Sequence, residues 1–369
     1  MNILVLNAGS SSLKYKLFRM PAETVLAEGA SDTSPGDSPE GAAAQVIDKC
    51  RPLGIDAVGH RVVHGGPRFS APVRVTPDVL TALKTLSELD PLHSPIETAL
   101  IEAGQRLLPG VPAVAAFDTA FHRTLPEVAW RYALPREMAD TLHLRRYGFH
   151  GLSYQYVTGR LLDCLGRGPE DTRLIVCHLG SGASICAVKD GQSIDTSMGL
   201  TPLEGLMMGT RSGDLDPGLL LYLIRSQGKS AAEMDDLLNH DSGLKGVGGQ
   251  SDVRKLEQSA EGGDAPAEVA LEMFAYRAAK YIGAYAAVLE GVDAVAFTGG
   301  IGQHSAEIRA RLCRRLAFLG IALDAPANTD AGPGETKISS ADAAVSVWMI
   351  PTDEERQIAR EAYGLLQKA

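Results

Sequence analysis

An α/β protein of two related domains is what this sequence predicts, and three observations carry the prediction. The chain has 369 residues, which allows two domains of about 150 to 200 residues each. It opens on a unit of strand, glycine-serine turn and strand. The same unit returns near mid-chain, which points to an internal duplication. With 45% hydrophobic, 22% charged and 5% aromatic residues, the composition is ordinary for a globular protein and excludes wholesale disorder and collagen-like repeats.

In the first unit, Asn2–Leu6 is an apolar, β-branched run, Ala8-Gly9-Ser10-Ser11-Ser12 is a turn, and Leu13–Phe18 alternates apolar with polar residues. In the second, Leu174–Cys177 and Ser184–Val188 are strands about Gly180-Ser181-Gly182, and Lys189-Asp190-Gly191 makes a further hairpin. Asn7-Ala8-Gly9-Ser10 aligns with His178-Leu179-Gly180-Ser181. The stretches 30–41, 257–268 and 324–342 read as loops from their Gly, Pro, Asp and small polar residues. Near the C-terminus, Thr352-Asp353-Glu354-Glu355 fits a capping box with Thr352 at the cap, and Ile358, Ala362 and Leu365 follow on one helical face. That helix is expected to pack on the first domain. The expected domains are residues 1–150, completed by helix 353–369, and residues 151–352.

The 35 Lys and Arg against 45 Asp and Glu leave a net charge of −10, which disfavours a general nucleic-acid binder. Five cysteines, an odd number with no C-x-x-C, argue against a disulfide framework or structural zinc and for a reducing compartment. The N-terminus lacks a basic leader, and the longest uncharged apolar stretch, 174–188, is too short to span a bilayer. No membrane or nucleic-acid partner is expected, and the expected location is cytoplasmic.

Several segments can carry chemistry. A Gly-Ser turn presents backbone N–H groups and hydroxyls to a phosphate, although a plain tight hairpin also uses glycine. The repetition favours a pair of phosphate-binding turns, and no Walker A motif is present. Arg61 interrupts an apolar strand-like run before Gly65-Gly66, where its planar fork can grip an anion or simply face solvent. His60 and His64 have no nearby acid in sequence and read as hydrogen-bonded structural residues. The segment 195–217 is long, glycine-punctuated and aperiodic, as functional loops are, and it carries Arg211 between Gly209 and Gly213. Asp118, after the apolar run Val111–Phe117, either faces a ligand crevice or caps the following helix. Gly299-Gly300-Ile301-Gly302 ends the apolar strand Ala294–Thr298 and permits close approach of a nucleotide.

Taken together, these residues resemble the acetokinase family, within the acetate and sugar kinase/Hsp70/actin superfamily. Residues 7–14 are similar to its first signature and 198–217 to its second. Arg61-Val62-Val63-His64-Gly65-Gly66, Tyr147-Gly148-Phe149-His150-Gly151, His178-Leu179-Gly180 and Pro351-Thr352-Asp353-Glu354-Glu355 are similar to further family motifs in their order along the chain. The resemblance implies two duplicated actin-like (ribonuclease H-like) α/β domains flanking an active-site cleft, the second of them nucleotide-binding, and a homodimer. It implies reversible transfer of a phosphoryl group from ATP to acetate, giving acetyl phosphate and ADP, with Mg²⁺ or Mn²⁺ as cofactor. Arg61 and Arg211 would bind the acetate carboxylate and the transferring phosphoryl, and His150 would hydrogen-bond that phosphoryl. Asp118, Asn7 and Glu354 would arrange the acetate side, with the metal on Asn7 and Glu354. Val63, Leu92, Phe149 and Pro202 would enclose the methyl group. Asn7, Ser10, Ser12, Lys14, His178, Gly180 and Ser181 would meet the phosphates. Asp252, Val253, Arg254, Gly300, Ile301, Gly302, Gln303 and His304 would line the adenosine side.

The chemistry agrees with those roles. Acetate, with a pKa of about 4 to 5, is already ionised at neutral pH and attacks in line without a general base, so Asp118 is an orienting group. Two anions that repel each other need cations around the transferring phosphoryl. Ser181 stands where the family usually has Asn, and Gln303 and His304 where it usually has Glu-Asn, which leaves the phosphoryl donor open among ATP, GTP and pyrophosphate. The alternatives are a propionate or butyrate kinase, since a methylene is worth only about 0.8 kcal/mol, and a non-catalytic actin-like nucleotide-binding module, against which the two arginines count.

Overall fold

The computed structural model describes residues 1–9, 12–32, 39–88 and 93–368. The chain divides into two compact units. One is Met1–Arg123 with Phe149–Tyr156 and Asp353–Ala369, and the other is Thr124–Gly148 with Val157–Thr352. Among the described residues each unit holds one six-stranded sheet.

The strands of the first unit are β1 (Asn2–Ala8), β2 (Ser12–Arg19), β3 (Thr24–Asp32), β4 (Ala57–Val62), β5 (Val73–Arg74) and β6 (Ala113–Phe117), in the order β3-β2-β1-β4-β6-β5. β1 runs antiparallel to β2 and parallel to β4, which in turn runs parallel to β6. All of β1 beyond Asn2 is buried, because both faces of the sheet are covered and alternate side chains serve opposite cores. Leu4 and Leu6 pack with Ala43 and Ile47 of helix Pro39–Cys50 and with Leu100 and Ala103 of helix Ser94–Leu107. Ile3 and Val5 pack with Ile358, Ala359 and Ala362 of helix Glu354–Gln367.

That C-terminal helix is capped by Asp353, whose side chain accepts from Arg356 N. Thr352, expected at the cap, lies one residue outside, and its buried Oγ1 finds no hydrogen-bond partner among the described residues. The carboxylate wins because its Oδ1 accepts both from the helix amide and from the Lys16 ammonium, at 3.1 and 2.9 Å, while its Oδ2 accepts from Arg356 Nε at 3.1 Å.

The second unit repeats the plan. Its strands are β7 (Arg173–Leu179), β8 (Ala183–Lys189), β9 (Gln192–Thr196), β10 (Ala294–Thr298), β11 (Thr336–Lys337) and β12 (Ser346–Met349), in the order β11-β12-β10-β7-β8-β9. β7 runs antiparallel to β8 and parallel to β10, which runs parallel to β12. The two related α/β domains expected from the repeated hairpin are therefore present.

The expected loop at 257–268 is mostly helical. Helix Val253–Glu261 stops at Gly262-Gly263, and helix Ala265–Val288 starts after Asp264 with a proline in its first turn. The Gly-Gly-Asp-Ala-Pro string punctuates two helices and does not replace them. The expected loop at 324–342 contains helix Ala325–Thr329 and β11. Of the expected loop at 30–41, β3 takes residues through Asp32 and a helix begins at Pro39, with 33–38 outside the described residues. All five cysteines are free. Among the described residues, no helix is long and apolar enough to cross a membrane.

Candidate active site

In the first unit, functional side chains gather where the parallel strands β1, β4 and β6 end, the usual ligand edge of an α/β sheet. Arg61, near the end of β4, donates to Asp118 Oδ2 from Nη2 at 2.6 Å and from Nε at 3.2 Å. Its Nη1 makes two long contacts of 3.4 Å, to Asn7 Oδ1 and to the carbonyl of Ala8. The Arg61 side chain is 14% exposed and that of Asp118 1%. Arg61 is thus not a solvent-facing strand residue, and Asp118 forms a buried ion pair. Burial works against the Arg61 charge, but Asp118, Glu354 and Glu97 outweigh it and raise its pKa. Burial likewise pushes the Asp118 carboxyl up, with Arg61 pulling the other way.

Asn7 ties this edge to the C-terminal helix. Its Nδ2 donates to Glu355 Oε1 at 2.7 Å and to Glu354 Oε2 at 3.1 Å. His150 adopts φ 57°, a left-handed conformation that costs free energy for a residue with a side chain. The next residue explains how it is held. Gly151 N donates to the carbonyl of Asp118 at 2.9 Å, and a Cβ on Gly151 would stand 2.0 Å from that oxygen. Phe149 is buried, its ring edge-on to His64 at 5.4 Å and its carbonyl 3.0 Å from His122 Nε2.

The Val63 amide, just past β4, donates to both oxygens of Glu97, at 3.1 and 3.2 Å. His64 Nδ1 accepts from Gly66 N at 2.8 Å. His60 departs from the expected hydrogen-bonded role. Its buried Nε2 finds no partner among the described residues, because β4 directs the ring at helix Ser94–Leu107, beside Gly104. Burial lowers its pKa to about 4, so the ring is neutral. Lys14 is exposed and pairs with Asn7 in the β1–β2 register. Ser10, Leu92 and the side chain of Ser12 lie outside the described residues.

In the second unit, a cavity of about 520 Å³ is lined by Gly180, Ser181, Asp252, Val253, Arg254, Gly300, Ile301 and His304, among others. Gly299, at φ 75°, brings the end of β10 so close to β7 that a Cβ would stand 2.6 Å from the carbonyl of Leu179. A Cβ on Gly180 would lie 3.9 Å from His178 Nε2, so the imidazole borders the same turn. Arg254 Nη2 donates to Asp252 Oδ2 at 2.8 Å, and that hydrogen bond holds the Asp252 pKa down at about 2. Gly302 and Gln303 are not on the cavity wall. Their carbonyls accept from Nη1 of the buried Arg309, at 2.9 and 2.7 Å.

The segment between β9 and helix Pro217–Gln227 has no regular structure and is held by side chains. Arg146 Nη1 donates to the carbonyls of Thr196, Ser197 and Met198 at 3.0, 3.1 and 3.0 Å, and its Nη2 to Glu204 at 2.5 Å. Tyr132 donates to Glu204. Asp214 accepts from Gly205 N at 2.8 Å and from the Tyr281 hydroxyl at 2.6 Å. Gly209 N donates to the Ser181 carbonyl at 3.0 Å, which joins this segment to the Gly-Ser turn. Arg211 is half-buried and donates to the carbonyl of Pro202 at 3.3 Å. Arg61 belongs to the first unit and Arg211 to the second.

For a metal, Glu354 and Glu355 offer carboxylate oxygens beside the Asn7 amide. Among the described residues, no group of three or more His, Cys, Asp or Glu could hold a metal ion. Mg²⁺ is commonly bound through one or two carboxylates together with waters and substrate phosphates. The donors here fit a Mg²⁺ bound in company with a nucleotide, not one held by protein alone.

Sequence reading missed Glu97, Glu355 and the clamp of Arg146, Glu204, Tyr132 and Asp214. Glu97 did leave a signal, since it stands at core spacing from Leu100 and Ile101 on an otherwise apolar face. Arg145-Arg146 left none, because an arginine pair looks like a solvated surface.

A family model described as the acetokinase family matches residues 42–360. An acetate kinase of Heliobacterium modesticaldum is 47% identical, covering 100% of both chains. Among solved structures, an acetate kinase of Porphyromonas gingivalis has a TM-score of 0.90 at 41% identity over 99% of each chain. A propionate kinase of Francisella tularensis has a TM-score of 0.92 at 39% identity over 98% of each chain.

Proposed function

The chain belongs to the acetokinase family, and from that premise we infer that it is a kinase of acetate. The reaction is reversible phosphoryl transfer from ATP to acetate, giving acetyl phosphate and ADP. The observation that carries this reading is the buried Arg61–Asp118 pair at the strand ends, inside a chain that is similar to acetate kinases over its full length.

Asp118 occupies Nε and Nη2 of Arg61, whereas Nη1 has two weak contacts. We assign Nη1 to a substrate oxygen, and Asp118 to holding the guanidinium plane. Asp118 abstracts no proton, because the acetate carboxylate is already ionised. Arg211 supplies positive charge to the transferring phosphoryl, and His150 donates a hydrogen bond to it. Each interaction grows as charge spreads over the equatorial oxygens, and an arginine in this role is worth about 10³ to 10⁵ in rate. Val63, Leu92, Phe149 and Pro202 enclose the methyl group. Asn7, Ser10, Ser12, Lys14, His178, Gly180 and Ser181 serve the phosphates, and the cavity lined by Asp252, Val253, Arg254, Gly300, Ile301 and His304 takes the nucleoside. Mg²⁺ would be held on the Glu354 carboxylate with Asn7 beside it, and when bound it supplies positive charge to the phosphate oxygens. Mn²⁺ would use the same oxygens.

A homodimer is proposed on helix Pro217–Gln227, which has no buried residue and on which Leu219, Leu221, Tyr222 and Ile224 are exposed. Exposed apolar patches of this kind mark interfaces. Free cysteines suit a cytoplasmic location.

The test is an acyl-hydroxamate assay with ATP, Mg²⁺ and acetate, extended to GTP and pyrophosphate as donors. No product at high acetate would defeat the reading. The similar fold of a propionate kinase supports a second reading, propionate as the preferred acceptor. Discrimination of about 10- to 200-fold per methylene is expected. Comparing kcat/KM for acetate, propionate and butyrate decides between the two.

A further inference from the structure

Glu97 sits in the first turn of helix Ser94–Leu107, on the face that buries Leu100, Ile101 and Ala103, and is itself 3% exposed. A carboxylate in such a place is costly unless it is hydrogen-bonded and compensated by charge. Both conditions are met at the end of β4. The Val63 amide donates to Oε1 at 3.1 Å and to Oε2 at 3.2 Å. Arg61, two residues earlier, feels the Glu97 charge.

The neighbouring backbone group is also fixed, since Asp118 N donates to the Val62 carbonyl at 3.0 Å. The strand end that carries Arg61 and Val63 is therefore gripped from two sides. A neutral amide in place of Glu97 could offer Val63 one oxygen, but its NH₂ group would face the same N–H and break the symmetric grip. A carboxylate meets the amide with two acceptors, and its charge also favours the charged Arg61.

We propose that Glu97 is a positioning residue for acetate phosphorylation, setting the end of β4 so that Arg61 and Val63 meet the acceptor in a fixed geometry. The proposal deepens the assignment of Arg61 to the acetate side and rests on it. Glu97 touches no reacting atom and acts through Arg61 and Val63.

The experiment is a kinetic cycle of wild type, Glu97→Gln, Glu97→Ala, Arg61→Ala and Arg61→Ala/Glu97→Gln, with thermal melts on each. Glu97→Gln is expected to lower kcat/KM for acetate on the order of 10-fold, the usual scale for a group that orients a binding residue, while KM for ATP stays within about twofold. Glu97→Ala is expected to lower it further. In the Arg61→Ala background, Glu97→Gln is expected to cost clearly less than in the wild type, because partners in one network are non-additive. A merely structural role would lower the melting temperature without this acetate-specific loss or this coupling. Acetate kinetics within twofold of wild type in a folded Glu97→Gln protein, or penalties that simply multiply in the double variant, would overturn the proposal alone. Glu97→Gln keeps the size of the side chain, so it decides the matter if Glu97→Ala does not fold. Wild-type acetate kinetics in Arg61→Ala would overturn the placement of Arg61, and the proposal with it.

Discussion

Asn7 and His178 stand at the same point of the repeated hairpin, each at the end of a central strand before a Gly-Ser turn. What lies beside them differs. β1 pairs Leu6 with His60, so Arg61 stands next to Asn7, whereas β7 pairs His178 with Thr298 of β10. Arg61 brings a buried cation and its Asp118 partner, with Glu354 and Glu355 close by through Asn7. Thr298 brings a small neutral side chain, followed by Gly299 and Gly300. One strand end is crowded with fixed charge. At the other the neighbouring strand supplies only small neutral residues, next to an open cavity. The lesson is that a duplicated sheet supplies two equivalent ledges and that a few residues at each decide its chemistry.

The largest expected effect tests that contrast directly. Arg61→Ala is expected to lower kcat by about 10³-fold or more, while Thr298→Val, at the equivalent place, leaves it within about threefold. Arg211→Ala is expected to slow turnover on a scale similar to Arg61→Ala, with far less effect on ATP binding. Steady-state hydroxamate kinetics and nucleotide titrations check all three, and a Thr298→Val loss rivalling that of Arg61→Ala would break the comparison.

Next come two glycines. Gly151→Ala forces a Cβ to within 2.0 Å of a carbonyl oxygen and is expected to cost about 3 kcal/mol or more in urea unfolding. At Gly300 a Cβ meets nothing within 4 Å, and Gly300→Ala is expected to change stability by about 0.5 kcal/mol or less. Equal costs would mean that the first ledge is no more crowded than the second.

A third effect is set by pH. On the C-terminal helix, Glu361 has a buried Oε2 without a hydrogen-bond partner among the described residues. Burial pushes its pKa from 4.5 up to about 7, Gln357 opposes the shift, and the Asp118 charge adds to it. Between those two values the unfolded chain binds fewer protons than the folded one, so this group lowers stability as pH rises and is neutral below about pH 4.5. Glu361→Gln should therefore stabilise the protein on the order of 2 kcal/mol at pH 8 and far less at pH 5. Denaturant titrations at the two pH values measure it, and a gain that does not depend on pH would place the charged carboxylate in water.

The smallest effect concerns the cap of the same helix. Asp353→Ala should cost about 1 to 2 kcal/mol and Thr352→Val about 0.5 kcal/mol or less, as thermal melts would show. The reverse order would restore Thr352 as the cap.

The duplicated hairpin was legible because strand alternation and Gly-Ser turns are local signals. Arg61 and Asp118 stood out as charged residues at the ends of apolar runs. The cap falls one residue from its expected place because Thr and Asp both cap helices and only the tertiary partner, Lys16, separates them. Two helices around 257–268 look like one loop in the sequence because stop and start signals are adjacent. Glu97 and Arg146 could not be placed because they hold backbone groups of Val63 and of 196–198, and sequence spacing says nothing about which distant carbonyl or amide a side chain will reach.

Helix Glu354–Gln367 packs on β1, which holds some of the first residues of the chain. On the ribosome, the first unit must wait for its closing face until nearly the whole of the other has been synthesised. Until then Ile3 and Val5 lack their cover and Asn7 lacks its acidic neighbours. Nascent chains stalled before Asp353 should therefore display a sticky, phosphorylation-incompetent intermediate, a natural client for chaperones.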